Sequence, residues 1–67
     1  MTVECAKKTT EKGTTITLFL TSDKWGIRTW DLEVVDIDGN ESDKYDLHFT
    51  NERLALNEYN QAIIDNS

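Results

Sequence analysis

Thr15-Ile16-Thr17-Leu18-Phe19-Leu20-Thr21 decides the fold. Apolar and polar residues alternate along it, so in an extended chain Ile16, Leu18 and Leu20 share one face while the threonines and Phe19 share the other. β-Branched and aromatic side chains at this period fit a half-buried pleated surface, and the stretch is predicted to be a strand over about 14–21. A strand with one apolar face needs neighbours along its edges and a second layer over that face. The chain on either side is read for both.

Upstream, Val3 and Cys5 alternate with Glu4 and Ala6, and Thr10-Glu11-Lys12-Gly13 has the composition of a turn, so 2–8 is predicted as a first strand. Downstream, Thr21-Ser22-Asp23-Lys24 reads as a polar turn into Trp25 to Asp38, whose aromatic and β-branched content predicts a strand over about 25–37. Its alternation is broken. Trp30, Leu32 and Val34 share one face, while Trp25, Ile27, Val35 and Ile37 share the other. A β-bulge near residues 26–29, or at Val34-Val35, would turn some of these inward. Without one, Phe19, Trp25, Ile27, Val35 and Ile37 form an exposed apolar patch of the kind that marks a partner surface. Residues 38–43 are a turn by composition, and Tyr45-Asp46-Leu47-His48-Phe49 alternates again, predicting a strand over about 44–50.

After Thr50-Asn51 the period changes. Leu56, Tyr59 and Ile63 fall at i, i+3 and i+7 with Leu54, Ala55 and Ala62 beside them, the pattern of an amphipathic helix over about 51–65. Thr50 or Asn51 supplies an N-cap, and Glu52 suits the positive end of the helix dipole. The expected architecture is α+β: an antiparallel meander of three or four strands with one C-terminal helix packed on a face, in two layers and a single domain over 1–67. No linker composition and no repeat of useful length is read from the chain.

Composition narrows the function. A 67-residue chain buries only roughly 60% of the surface its unfolded form exposes, so oligomerisation is a common remedy and a homodimer is considered from the outset. One cysteine, Cys5, and one histidine, His48, allow neither an intrachain disulfide nor a Cys/His zinc set, which favours a reducing compartment. The first residues lack the apolar run of a signal peptide, and no stretch approaches the roughly 18 apolar residues of a membrane span. A cytoplasmic location and no membrane partner are expected.

Net charge is −6, unevenly placed: residues 1–30 sum to +2 and residues 31–67 to −8. Binding to nucleic acid phosphates draws on cationic contacts that release counterions, so this excess of carboxylates argues against direct nucleic acid binding. It suits a basic protein partner.

Chemistry-bearing patterns are few. Asp36-Ile37-Asp38-Gly39-Asn40-Glu41 spaces oxygen ligands like a calcium loop, but Glu41 stands where the glycine is needed and Leu47 where the bidentate glutamate is needed, so it reads as a hairpin turn. Cys5 and His48 have no spacing that marks a nucleophile and base; Cys5 reads as a small buried hydrophobe, and His48 as a solvent-face residue beside Asp46. Asp31 and Glu33, at i and i+2, read as solvated sheet-face charges. No catalytic residue, metal ligand or cofactor site is expected.

The function this leaves is surface occupation of a protein partner, with Asp31, Glu33, Asp36, Asp38, Asp46 and Trp25 as the binding residues. In its sharper form the chain is an inhibitor that imitates nucleic acid, presenting carboxylates where a partner expects phosphates. The alternative is a self-associating structural subunit that uses its second sheet face or an open strand edge.

Overall fold

The structure, a computed structural model, describes residues 1–42 and 48–67. Strands β1 (Thr2–Thr9), β2 (Thr15–Ser22), β3 (Arg28–Val35) and β4 (His48–Phe49) are followed by one helix, α1 (Glu52–Asp65). The strands form one antiparallel sheet in the order β1-β2-β3-β4, with α1 laid over β2 and β3, which is the expected two-layer α+β arrangement. Of the predicted last strand only His48 and Phe49 are described as strand; Asp43, Lys44, Tyr45, Asp46 and Leu47 lie outside the described residues.

The first three strands follow a rule that the sequence reading missed. β1, β2 and β3 are each eight residues long, and each is followed by a five-residue turn, at 10–14, 23–27 and 36–40. Gly13, Gly26 and Gly39 recur at this thirteen-residue period, each at the fourth turn position with φ of +79° to +87°. In every turn the first residue donates its N–H to the fifth residue's carbonyl (2.8, 3.1 and 3.0 Å), and the glycine N–H donates to the carbonyl of the first (2.9, 3.1 and 3.0 Å). This is the three-residue hairpin loop in which a left-handed residue closes a bulge, a position where a Cβ is penalised.

The first turn residue sets a second layer of bonds. Asp23 Oδ1 accepts from the amides of Trp25 (2.8 Å) and Ile27 (2.9 Å), and Asp36 Oδ1 accepts from Asp38 and Asn40 (both 2.9 Å). Thr10 holds the same place in the first turn, where it is buried and its hydroxyl has no partner among the described residues.

These turns explain the broken alternation. Trp25, Ile27 and Ile37 belong to turns, not to the strand predicted over 25–37, so they are not on a sheet face. β2 and β3 pair without interruption from Thr15 opposite Val35 to Ser22 opposite Arg28, so no bulge stands at Val34-Val35, and the one expected near 26–29 lies in the turn, where Gly26 closes it. The irregularity is on β1, between Glu4 and Ala6, which leaves Cys5 as the extra residue. Cys5 is exposed, not the buried hydrophobe expected. The apolar patch expected from Phe19, Trp25, Ile27, Val35 and Ile37 does not form: Phe19 is central in β2, while Trp25 and Ile37 stand at opposite ends of β3.

The core lies between sheet and helix. Ile16, Leu18, Trp30, Leu32 and Val34 come from β2 and β3, and Ala55, Tyr59 and Ala62 from α1. Asn51, not Thr50, caps the helix, its Oδ1 accepting from the amides of Arg53 (2.9 Å) and Leu54 (3.3 Å). The buried stripe keeps the expected Tyr59 but centres on Ala55 and Ala62 in place of Leu56 and Ile63, with Ile63 partly buried at its margin. Ala55 and Ala62 are fully buried, and Leu54 and Leu56 are exposed, because methyl-sized side chains beneath the helix let its backbone approach a sheet that already carries the Trp30 indole.

Candidate functional site

The face of the sheet opposite α1 carries the charged residues singled out in the sequence, and strand register places them in rows. Across the strands run Thr2, Thr21 and Thr29; then Glu4, Phe19, Asp31 and His48; then Lys7, Thr17 and Glu33; then Thr9, Thr15 and Val35. Because side chains in one row project to one face, Phe19 sits between two carboxylates and Thr17 between a lysine and a glutamate. Phe19 is half-buried, and Thr17 is 4% exposed although it lies on the face opposite α1.

Polar pairs knit the face. Thr2 and Thr21 join through their hydroxyls at 3.1 Å, and Thr9 and Thr15 at 3.0 Å. His48 Nδ1 meets Asp31 Oδ1 across the β3–β4 pair. His48 does sit on the solvent face, and Asp31 is the carboxylate the structure places beside it; Asp46 is outside the described residues. A side-chain pair this exposed contributes about 0–1 kcal/mol to stability.

The predicted binding residues that the structure describes separate into three groups. Asp31 and Glu33 project side by side from β3 on the open face, both half-buried. Asp36 is spent on its own turn: amide hydrogen bonds, led by that from Asn40, hold its carboxyl below the ordinary value of 3.8. Asp38 is exposed in the same turn. Trp25 stands at the other end of β3, an eight-residue strand away or about 26 Å, with Lys24 Nζ 4.5 Å from its ring centroid. Trp25 therefore does not share a surface with the Asp36 turn. The sequence reading placed Thr17 with Phe19 on this face but missed Glu4 and Lys7 as members of it; the pairing of β1 to β2 that brings both there could be read only by placing the bulge at Cys5.

A shallow depression of about 240 Å³ beside β3 is lined, among the described residues, by Phe19, Asp31, Glu33 and Glu41, and is smaller than the usual small-molecule pocket. Among the described residues no three His, Cys, Asp or Glu side chains are placed to share a metal ion, and no helix is long and apolar enough to cross a membrane. Cys5 and His48 lie on the two outermost strands of the four, about 14 Å apart across the sheet. Comparison of the chain with protein-family models, curated proteins and solved structures returned no match.

Proposed function

We propose that this chain is a small cytoplasmic protein-binding module that acts by occupying the surface of a basic protein partner with the open face of its sheet. The observation that supports the reading is the row Glu4-Phe19-Asp31, with Glu33 beside it: an aromatic ring half-buried among carboxylates on the face that α1 leaves uncovered. Aromatic anchors ringed by charge suit protein interfaces, the ring supplying contact area and the carboxylates steering an oppositely charged partner. A protein whose ordinary ligand is a nucleic acid backbone is one such partner, and the chain then acts as an inhibitor by imitation.

The test is capture of partners on immobilised chain at rising salt, followed by their identification, beside a variant carrying Asp31→Asn, Glu33→Gln and Asp46→Asn. The reading expects basic partners that release as salt rises and bind the triple variant more weakly, while the variant folds as before. Recovery of only neutral or acidic partners, or equal binding by the variant, overturns it.

A further inference from the structure

β1 is an edge strand whose outer side is unpaired among the described residues, and its pattern of faces, hydrogen-bonding groups and charges is complementary to itself. Eight residues of open backbone are a template for another strand. The bonds to β2 show which groups point outward. The Ser22 amide donates to the Met1 carbonyl at one end, and Thr10 donates to Thr14 at the other. Counting inward by twos from each end, and allowing for the irregularity between Glu4 and Ala6, leaves the N–H and C=O of Thr2, Glu4, Lys7 and Thr9 directed away from β2. The same four side chains lie on the open face, while Val3, Ala6 and Lys8 lie on the helix face.

We propose that a second copy of the chain docks on this edge, β1 against β1 in antiparallel sense, about a two-fold axis normal to the sheet. The register pairs Glu4 with Lys7 of the second copy and Thr2 with its Thr9. An antiparallel partner must match outward backbone groups with outward groups and open-face side chains with open-face side chains. The bulge breaks both parities at Cys5, so a register that pairs the whole strand and keeps both must centre the two-fold between Cys5 and Ala6. That is the register named.

Its consequences are favourable. Two Glu–Lys pairs form across the seam, where slipping toward the C-terminal half would face lysine with lysine. The Thr2–Thr9 pairs repeat the hydroxyl contacts that already join Thr2 to Thr21 and Thr9 to Thr15. On the other face α1 covers β2 and β3 and leaves the β1 margin bare, with Val3 47% and Leu56 40% exposed beside a depression that Cys5, Ala6 and Leu20 help to line. The register brings the Lys8 stem of the second copy over Val3. Two open faces then join into one continuous surface. Glu4 belongs both to this edge and to the face proposed to meet a basic partner, so the two proposals are told apart by their readouts: self-association of the isolated chain here, capture of a basic partner there.

The test is sedimentation equilibrium over a concentration series for the unsubstituted chain, Glu4→Lys, Lys7→Glu, and the two together. Each single reversal turns two attractive pairs into two repulsive ones and is expected to raise the dimer dissociation constant by on the order of tenfold, with the double reversal restoring it. Amide exchange on the unsubstituted chain supplies a readout free of any substitution: the amides of Thr2, Glu4, Lys7 and Thr9 gain protection as concentration rises. A strict monomer, a dimer indifferent to both single reversals, failure of the double reversal to restore association, or protection that grows elsewhere and not on β1 each overturns the proposal.

Discussion

Ile37 lies across the α-carbon of Gly13: a Cβ added there would stand 2.8 Å from Ile37 Cδ1 and 2.9 Å from its Cγ1. The first and third turns share one end of the sheet, so a side chain that is 74% exposed overall still fastens one turn to the other. Gly26 has the same left-handed backbone with nothing within 4 Å of the same position. Gly26→Ala is therefore expected to cost only the left-handed penalty, about 1–2 kcal/mol, and Gly13→Ala more than that. Urea titration measures both. Adding Ile37→Ala should bring the Gly13→Ala cost back to that of Gly26→Ala; an equal cost for the two glycines in the parent background would show that Ile37 yields freely.

The Asp36 turn gives stability a dependence on acid. Its carboxyl titrates below the ordinary 3.8 in the folded chain, because the ionised form accepts turn amides. A carboxyl with a lowered folded value contributes stability that is present above about 3.8 and is lost as pH falls through that lowered value. Asp36→Asn keeps an oxygen acceptor but removes the titration, so its urea midpoint should fall less steeply than the parent's between pH 4 and the acid limit. Asp36→Ala removes the acceptor and should lower the midpoint at neutral pH as well. Parallel acid limbs for the parent and Asp36→Asn would contradict this.

Strand alternation and the helical period carried the layer arrangement because each is a local pattern with one geometric meaning, as Ile16, Leu18, Trp30, Leu32 and Val34 show by all reaching the core. Apolar content alone misled at Trp25, Ile27 and Ile37, where hydrophobic residues occupy turns defined by an aspartate three positions before a glycine. That spacing is written in the sequence three times, with Thr10 replacing aspartate once, and is legible when glycines are compared with one another. Which face is open, and that Glu4 and Lys7 belong to it, depends on cross-strand register, a long-range property that one misplaced bulge inverts.

The two tryptophans should behave oppositely. Trp30 is 8% exposed in the core, so Trp30→Ala is expected to cost about 3–5 kcal/mol, enough to leave a domain of this size largely unfolded. Trp25 is 74% exposed and touches Lys24, so Trp25→Ala should lie within about 0.5 kcal/mol of the parent. Fluorescence of Trp25→Phe, which retains Trp30 alone, should resist quenching by added iodide until the chain unfolds. Ready quenching of that variant in the folded state would place Trp30 outside the core.

Helix packing rests on small residues, and that can be tested by enlarging one. Ala62 is fully buried against the sheet, so Ala62→Leu forces α1 away from β2 and β3 and is expected to destabilise by about 1–3 kcal/mol, although it raises hydrophobicity. Leu56 is 40% exposed, so Leu56→Ala should cost less than full burial of a leucine would imply. The N-cap is separable from both: Asn51→Ala removes the acceptor of two helix amides and should cost about 0.5–2 kcal/mol, with Asn51→Asp or Asn51→Ser retaining most of it. Thermal or urea melts of the three sites order them. Had the helix packed on the expected Leu56, Tyr59 and Ile63 stripe, Leu56→Ala would be the costly change and Ala62→Leu a neutral one.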